Sequence, residues 1–219
     1  MYAPGVPRPS RKEHEMAKGR RGRWIDDHLS DPYVQKAQQA GYRSRATFKL
    51  LELDEKHRFL RPGQAVVDLG AAPGGWSQLA AQRVGAKGSV LALDRLAMAP
   101  LDGVQILEVD FETDAGLAAL RAALPEAGAE VVLSDMAPNL SGIHAADQDR
   151  AIALAELALE LAVEILAPPG TLVVKLFQGS GFDPWLAQAR EHFTKVTVRK
   201  PKASRPRSRE VYAVAEGRR

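Results

Sequence analysis

The chain has 219 residues, 45% of them hydrophobic, no cysteine and a formal net charge of +3. That length suits one α/β domain with a sizeable core. The missing cysteines exclude disulfides and thiolate metal sites and fit a reducing cytoplasm. No apolar run is charge-free enough to span a bilayer. The nearest candidate, Ala151 to Ala167, carries Glu156, Glu160 and Glu164 at every fourth position, the polar stripe of an amphipathic helix. The amino terminus has charges but no apolar core like that of a secretory signal.

The small net charge conceals an asymmetry. Residues 1–23 hold seven Lys/Arg and two Glu, residues 195–219 hold nine and two, and the 171 residues between them therefore sum to −9. Basic ends on an acidic body suggest a polyanion such as nucleic acid met by the termini, against the plainer reading of solvated tails. Residues 1–23 lack apolar periodicity and read as a basic, disordered arm, leaving 24–219 as the folded domain.

Ser30 or Asp31 caps a short predicted helix through Gln39, and Ser44 caps a second from Arg45 to about Lys56. Strands and helices then alternate. Ala65–Leu69 is a strand, Gly75 to Val84 a helix, Ser89–Asp94 and Val104–Val109 strands, and Asp114 to Leu124 a helix. Glu130–Ser134 is a fourth strand, Asp147 to Leu166 a long helix, Leu172–Phe177 a fifth strand and Asp183 to Phe193 a helix. Lys195–Arg199 and Val211–Ala215 close the chain as neighbouring strands. The pattern implies a Rossmann-like α/β fold: one seven-stranded, mostly parallel sheet with helices on both faces. Ligands of such sheets bind beyond the carboxyl ends of the strands.

Three features sit at those ends. Asp68-Leu-Gly-Ala-Ala-Pro-Gly-Gly-Trp76 follows the first strand and opens a helix. Gly74 and Gly75 permit close approach to the backbone, although the spacing departs from the dinucleotide G-x-G-x-x-G. Asp94 ends the second strand, where an acid accepts hydrogen bonds from ribose hydroxyls, and Asp110 follows the third, near where an adenine amino group would lie. An NAD site accounts for Asp94 but not Asp110. S-adenosylmethionine accounts for the loop and both acids. Trp76 reads equally as a packing residue or a cofactor contact.

Lys175 is a cation near the carboxyl end of the β-branched run Gly170–Gly179, and it must be solvated, paired or used. Lys49, Asp135 and Glu210 are candidate partners. Taken singly, Lys49 and Glu210 read as ordinary solvated charges. His14, His28, His57, His144 and His192 are scattered, and no metal-ligand spacing is visible.

Four segments closely resemble the FtsJ/RrmJ family of ribosomal RNA large-subunit 2′-O-ribose methyltransferases. They are Asp68 to Trp76, Ser134-Asp-Met-Ala-Pro-Asn139, Val173-Val-Lys-Leu-Phe-Gln-Gly179 and Arg207-Ser-Arg-Glu-Val-Tyr212. Tyr33 to Gln39 and Arg43-Ser-Arg-Ala-Thr-Phe-Lys49 extend the resemblance, which runs in motif order from about Trp24 to the end. It implies a class I S-adenosylmethionine-dependent fold and a catalytic tetrad at Lys49, Asp135, Lys175 and Glu210. It also implies cofactor contacts at Gly74, Trp76, Asp94, Asp110 and Asp135. The implied substrate is a uridine in the A-loop of 23S rRNA on an assembled large subunit; the chain itself is read as a cytoplasmic monomer. The arm before Trp24 looks longer than the family needs.

The reaction so implied is in-line displacement at a sulfonium methyl by a ribose 2′-oxygen, so the enzyme supplies alignment and a destination for the proton. An ordinary lysine near pKa 10.4 must fall by roughly three units to be substantially neutral at physiological pH. Burial and a nearby Lys49 push Lys175 that way, while an ionised Asp135 opposes it. Arg205, Arg207 and Arg209 alternate in sequence. An extended segment would point all three to one side, toward phosphates, and Glu210 to the other. Arg43 and Arg45 would form the opposite RNA-binding bank. Phosphate and 2′-hydroxyl contacts are expected over base stacking. Two competing readings are an NAD-dependent oxidoreductase and a nonenzymatic RNA-binding assembly factor.

Overall fold

A computed structural model describes residues 31–138 and 141–219. The arm expected over residues 1–23, the start of the domain at Trp24, the alternative cap Ser30 and the motif residue Asn139 lie outside the described residues. Two helices, α1 (Pro32–Gln39) and α2 (Thr47–His57), precede β1 (Ala65–Leu69), α3 (Gly75–Val84), β2 (Ser89–Asp94), β3 (Val104–Glu108) and α4 (Asp114–Ala123). There follow β4 (Ala129–Ser134), α5 (His144–Ile165), β5 (Leu166–Phe177), α6 (Phe182–His192), β6 (Phe193–Arg199) and β7 (Glu210–Arg218). The seven strands form one sheet in the order β3-β2-β1-β4-β5-β7-β6. Strands β1 to β5 pair in parallel, and β7 runs antiparallel between β5 and β6. The expected Rossmann-like α/β architecture is therefore present.

Successive side chains of a strand point to opposite faces, so the strands feed two cores. Val67, Leu69, Leu91 and Leu93 pack with Leu120 of α4, Leu159 of α5 and Trp185 of α6. Their neighbours Val66, Val90, Val131 and Val173 pack with Leu50 and Leu53 of α2 and Leu79 of α3. Each fully buried apolar side chain of this kind contributes about 1.5–3 kcal/mol, which is why a mostly apolar run such as Leu172–Leu176 belongs inside the sheet. Among the described residues no helix is long and apolar enough to cross a membrane.

Several boundaries differ from the sequence reading, each for a local reason. Asp31 caps α1 by accepting from the Tyr33 N–H, as expected. Helix α2 starts at Thr47, two residues late, and has no side-chain cap. Ser44 offers its carbonyl to Thr47 (3.3 Å), and its hydroxyl fills the space beside the Gly75 α-carbon. Helix α5 starts three residues before Asp147. The Asp147 carboxylate reaches back to the N–H groups of Ser141 (2.8 Å) and Gly142 (3.1 Å), closing the turn ahead of the helix. Strand β5 begins at Leu166 rather than Leu172. Its register jumps from Leu166 opposite Ala129 to Thr171 opposite Val131, so Pro168, Pro169 and Gly170 fall in a bulge.

Candidate active site

The β5–β7 register places Lys175 opposite Tyr212 and Phe177 opposite Glu210. Residues two apart share a face, so Lys175, Tyr212 and Glu210 point to the same side of the sheet, the side covered by α2 and α3. Asp135 follows the last residue of β4, next to β5. Lys49 comes from the first turn of α2. The four charges meet as two alternating pairs. Lys175 Nζ lies 2.8 Å from Asp135 Oδ1 and 3.9 Å from Glu210 Oε2. Lys49 Nζ lies 2.8 Å from Glu210 Oε1 and 4.0 Å from Asp135 Oδ1. Lys175 also donates to the Asp135 carbonyl (2.9 Å), so its ammonium is held from two directions on one residue.

Two further residues complete the cluster, and the sequence reading assigned neither a role. Tyr212 Oη donates to Asp135 Oδ1 (2.6 Å) and accepts from Lys49 Nζ (3.0 Å), bridging the longest gap in the tetrad. Burial, followed by the carboxylates of Asp135 and Glu210, pushes the Tyr212 phenol well above its ordinary value, so it stays a proton donor. Ser204 Oγ donates to Glu210 Oε1 (2.8 Å). The signal for Tyr212 was its period-two spacing from Glu210; Ser204 had none, because its loop path is not periodic. Burial alone would raise the Asp135 carboxyl, but Lys175 and Lys49 outweigh it and hold its pKa below the usual value. Desolvated charges of this kind persist only when paired and hydrogen-bonded, and every member here is.

Beside the tetrad, a cavity of about 540 Å³ opens at the carboxyl ends of β1, β2, β3 and β4. Asp135 lines both regions. Asp94 and Asp110 line the cavity with Gly70, Leu96, Phe111, Met136 and Leu157. Asp94 Oδ2 accepts from Ala72 N (2.8 Å) and Oδ1 from Leu96 N (2.8 Å), tying the glycine loop to the strand end. Asp110 Oδ1 accepts from Glu112 N (3.0 Å). A carboxylate has about four lone-pair sites, so both acids retain capacity toward a ligand. Gly70 has φ +71, and a Cβ there would collide with Met136. Acids at two strand ends, apolar walls and a glycine backbone together fit a nucleoside with hydroxyl and amino groups.

Gly74 and Trp76 do not line this cavity. The Trp76 indole is turned into the core, where Nε1 donates to the Ala46 carbonyl (2.8 Å) and the ring packs 5.7 Å from that of Tyr212. It braces the tetrad from behind, so any cofactor contact is left to its backbone. Gly74 faces Arg43 and Leu101. Beneath the loop, Asp68 is fully buried and accepts from Ser77 Oγ (2.6 Å). Burial pushes its carboxyl up to about 7.

The two expected arginine banks differ. Arg43 donates to the carbonyls of Pro73, Ala99 and Pro100. Arg45 is engaged with Asp31 and the Ala203 carbonyl. Both are therefore occupied by the protein itself and do not form an open bank. The opposite segment is not extended. Two turns, closed by Ser204 N to Pro201 O (2.9 Å) and Ser208 N to Arg205 O (3.0 Å), replace the expected alternation. Arg205, Arg207 and Arg209 are nonetheless exposed while Glu210 is buried. Arg209 contacts His144 Nδ1 (3.0 Å), whereas Arg205 and Arg207 make no side-chain hydrogen bond among the described residues.

Known proteins resemble this chain in sequence and in fold. The chain is 55% identical over 195 residues, 89% of its length and 93% of the relative's, to Ribosomal RNA large subunit methyltransferase E of Alkalilimnicola ehrlichii. It is 53% identical, over 89% of its length and 94% of the relative's, to the protein of the same name from Pseudomonas aeruginosa. A crystal structure described as a ribosomal RNA methyltransferase from Plasmodium falciparum superposes with a TM-score of 0.72 at 27% identity, covering 81% of this chain and 98% of the other. The FtsJ-like methyltransferase family matches residues 42–218, which span both the tetrad and the acid-lined cavity, and the chain belongs to that family.

Proposed function

We propose that this methyltransferase moves the methyl group of S-adenosylmethionine to a ribose 2′-hydroxyl of 23S rRNA in the large ribosomal subunit. The observation that carries the reading is Asp135, which lies in the alternating Lys-Asp-Lys-Glu cluster and lines the acid-bearing cavity beside it. When bound there, S-adenosylmethionine supplies a methyl group already activated by its positive sulfur. Asp94 would accept from ribose hydroxyls and Asp110 from the adenine amino group, with Leu96, Phe111 and Met136 as the apolar walls of the cavity they line. Gly74 and Trp76, which do not line the cavity, support it indirectly by shaping the loop and bracing Tyr212. This apportioning follows the chemistry of each side chain, and the names of the relatives support the RNA substrate.

Chemistry in the tetrad is a matter of placement. Asp135 and Glu210 compensate two ammonium groups, so that Lys175 is held beside the cavity by its bonds to Asp135. From there Lys175 receives the acceptor 2′-hydroxyl: as an ammonium it orients the oxygen, and it takes the hydroxyl proton only if it has first released its own to solvent on binding cofactor and RNA. Lys49, gripped by Glu210 and Tyr212, holds the second cation in reach of the same oxygen. Arg205 and Arg207, with Arg209 beside them, meet RNA phosphates. The acceptor is a uridine of the A-loop, and the enzyme works as a cytoplasmic monomer.

Transfer of labelled methyl to large subunits lacking the modification, followed by mapping of the alkali-resistant ribose, tests this directly. Label at a 2′-oxygen of 23S rRNA supports the reading; label on a base, or none, overturns it. A kcat independent of pH from about 6 to 10 would remove the general-base role from Lys175 and leave it orienting the oxygen.

A further inference from the structure

Arg43 sits in the short connection between α1 and α2, six residues before Lys49. Its guanidinium donates to Pro73 O (3.2 Å) in the glycine-rich loop, and to Ala99 O (2.7 Å) and Pro100 O (2.5 Å) in the segment after β2. Its backbone N–H donates to Gln78 Oε1 (3.0 Å) on α3, and Gln78 Nε2 donates back to Gly41 O (2.8 Å). The fit is close: a Cβ on Gly74 would lie 3.1 Å from Arg43 Nη1 and 2.9 Å from Leu101 Cδ1, at a φ of +103.

The two loops joined by this one side chain each adjoin residues that line the cavity, and Ala72 N already meets Asp94 Oδ2 (2.8 Å) where they come together. Gly70 and Ala72 belong to the first, and Asp94 with Leu96 to the chain just before the second. A planar guanidinium can hold carbonyls from both at once, which a lysine ammonium on a flexible stem does poorly. The connection that bears Arg43 also leads straight into the first turn of α2. From these bonds we infer that Arg43 is a positioning residue, clasping the glycine loop to the post-β2 loop and thereby coupling occupation of the cavity by S-adenosylmethionine to the placement of Lys49. This rests on the cofactor reading above. Coupling of this kind is reciprocal, so what fixes the loops for the cofactor also fixes the start of α2.

Arg43→Met and Arg43→Lys in the full chain test the clasp, with circular dichroism to verify folding. The readouts are S-adenosylmethionine affinity by calorimetry, KM for each substrate, and amide exchange over residues 44–50 with and without cofactor. For Arg43→Met we expect cofactor affinity to fall about tenfold to a hundredfold, as for loss of charge-assisted hydrogen bonds. KM for RNA should stay within about twofold, and the cofactor-induced protection of residues 44–50 should vanish. Arg43→Lys should recover part of both losses. A raised KM for RNA with a smaller salt dependence and unchanged cofactor affinity would overturn the inference in favour of a phosphate contact. A lower melting temperature with unchanged affinity and protection would overturn it in favour of a purely structural role. Asp94→Ala separates the two layers. Should wild type fail to bind S-adenosylmethionine, or Asp94→Ala bind it normally, the cofactor reading itself falls. Should Asp94→Ala lose binding while Arg43→Met matches wild type, only the clasp falls.

Discussion

The tetrad and the cavity share Asp135 but handle polar groups in opposite ways. In the tetrad every charge has a partner within the protein: Lys175 with Asp135, Lys49 with Glu210, and Tyr212 across the remaining gap. In the cavity, Asp94 and Asp110 accept from backbone N–H groups, Asp94 from both the glycine loop and its own, and each keeps further lone pairs for a ligand. A closed cluster defines positions, whereas an open one offers bonds to a newcomer. The first suits a step that needs alignment, and the second suits recognition.

That contrast is breakable. The largest expected effect is from Lys175→Ala, which should lower methyl transfer by about a thousandfold while leaving S-adenosylmethionine affinity within about twofold. Calorimetry beside single-turnover kinetics would measure both, and a parallel fall in the two would erase the division of labour.

Next comes the acid beneath the glycine loop. Burial pushes Asp68 up to about 7 in the folded state, against 3.8 unfolded, so folding takes up a proton between those values. Stability therefore falls as pH rises from about 4 to about 7, by on the order of 4 kcal/mol for this group. Asp68→Asn keeps an acceptor for Ser77 and should flatten that limb in urea titrations. The opposite limb belongs to Asp135: its depressed value means stability is present above the ordinary carboxyl range and is lost as pH falls through the folded value. That limb should survive in Asp68→Asn, and its loss there would show that the two acids are not separable.

A smaller effect is expected from Tyr212→Phe. It strands Asp135 Oδ1 and Lys49 of one bond each, costing about 1–2 kcal/mol in chemical denaturation without changing cofactor affinity. The smallest comes from the exposed arginines. Arg205→Gln with Arg207→Gln should raise KM for RNA several-fold and reduce the log–log salt slope by about 2, with stability and cofactor affinity untouched. An unchanged salt slope would remove both from the RNA path.

The arginines also show where reading the sequence runs out. Arg43, Arg45, Arg205 and Arg207 look alike as isolated basic residues in two motifs. Two are absorbed by carbonyls and by Asp31, and two face solvent; local sequence carries no information on which carbonyls lie within reach. Trp76 is similar, since whether its indole faced ligand or core depended on where the Ala46 carbonyl and the Tyr212 ring came to rest. Ser44 suggests a helix cap by residue type, but its hydroxyl lies against Gly75 and the helix starts at Thr47 without a side-chain cap.

What the sequence determined by itself was the chain order of strands and helices, the two-sided burial of the sheet and the acids at the strand ends; the grouping of Lys49 with Asp135, Lys175 and Glu210 came from the family resemblance of their motifs. Hydrophobic period and motif spacing are local properties, and they survive without coordinates. What only the tertiary structure decided was the pairing within the tetrad, the bridging role of Tyr212, the support from Ser204 and the capture of Arg43. Those depend on the β5–β7 register and on loops converging from residues far apart in the chain, where a hydrogen bond is settled by a few tenths of an ångström.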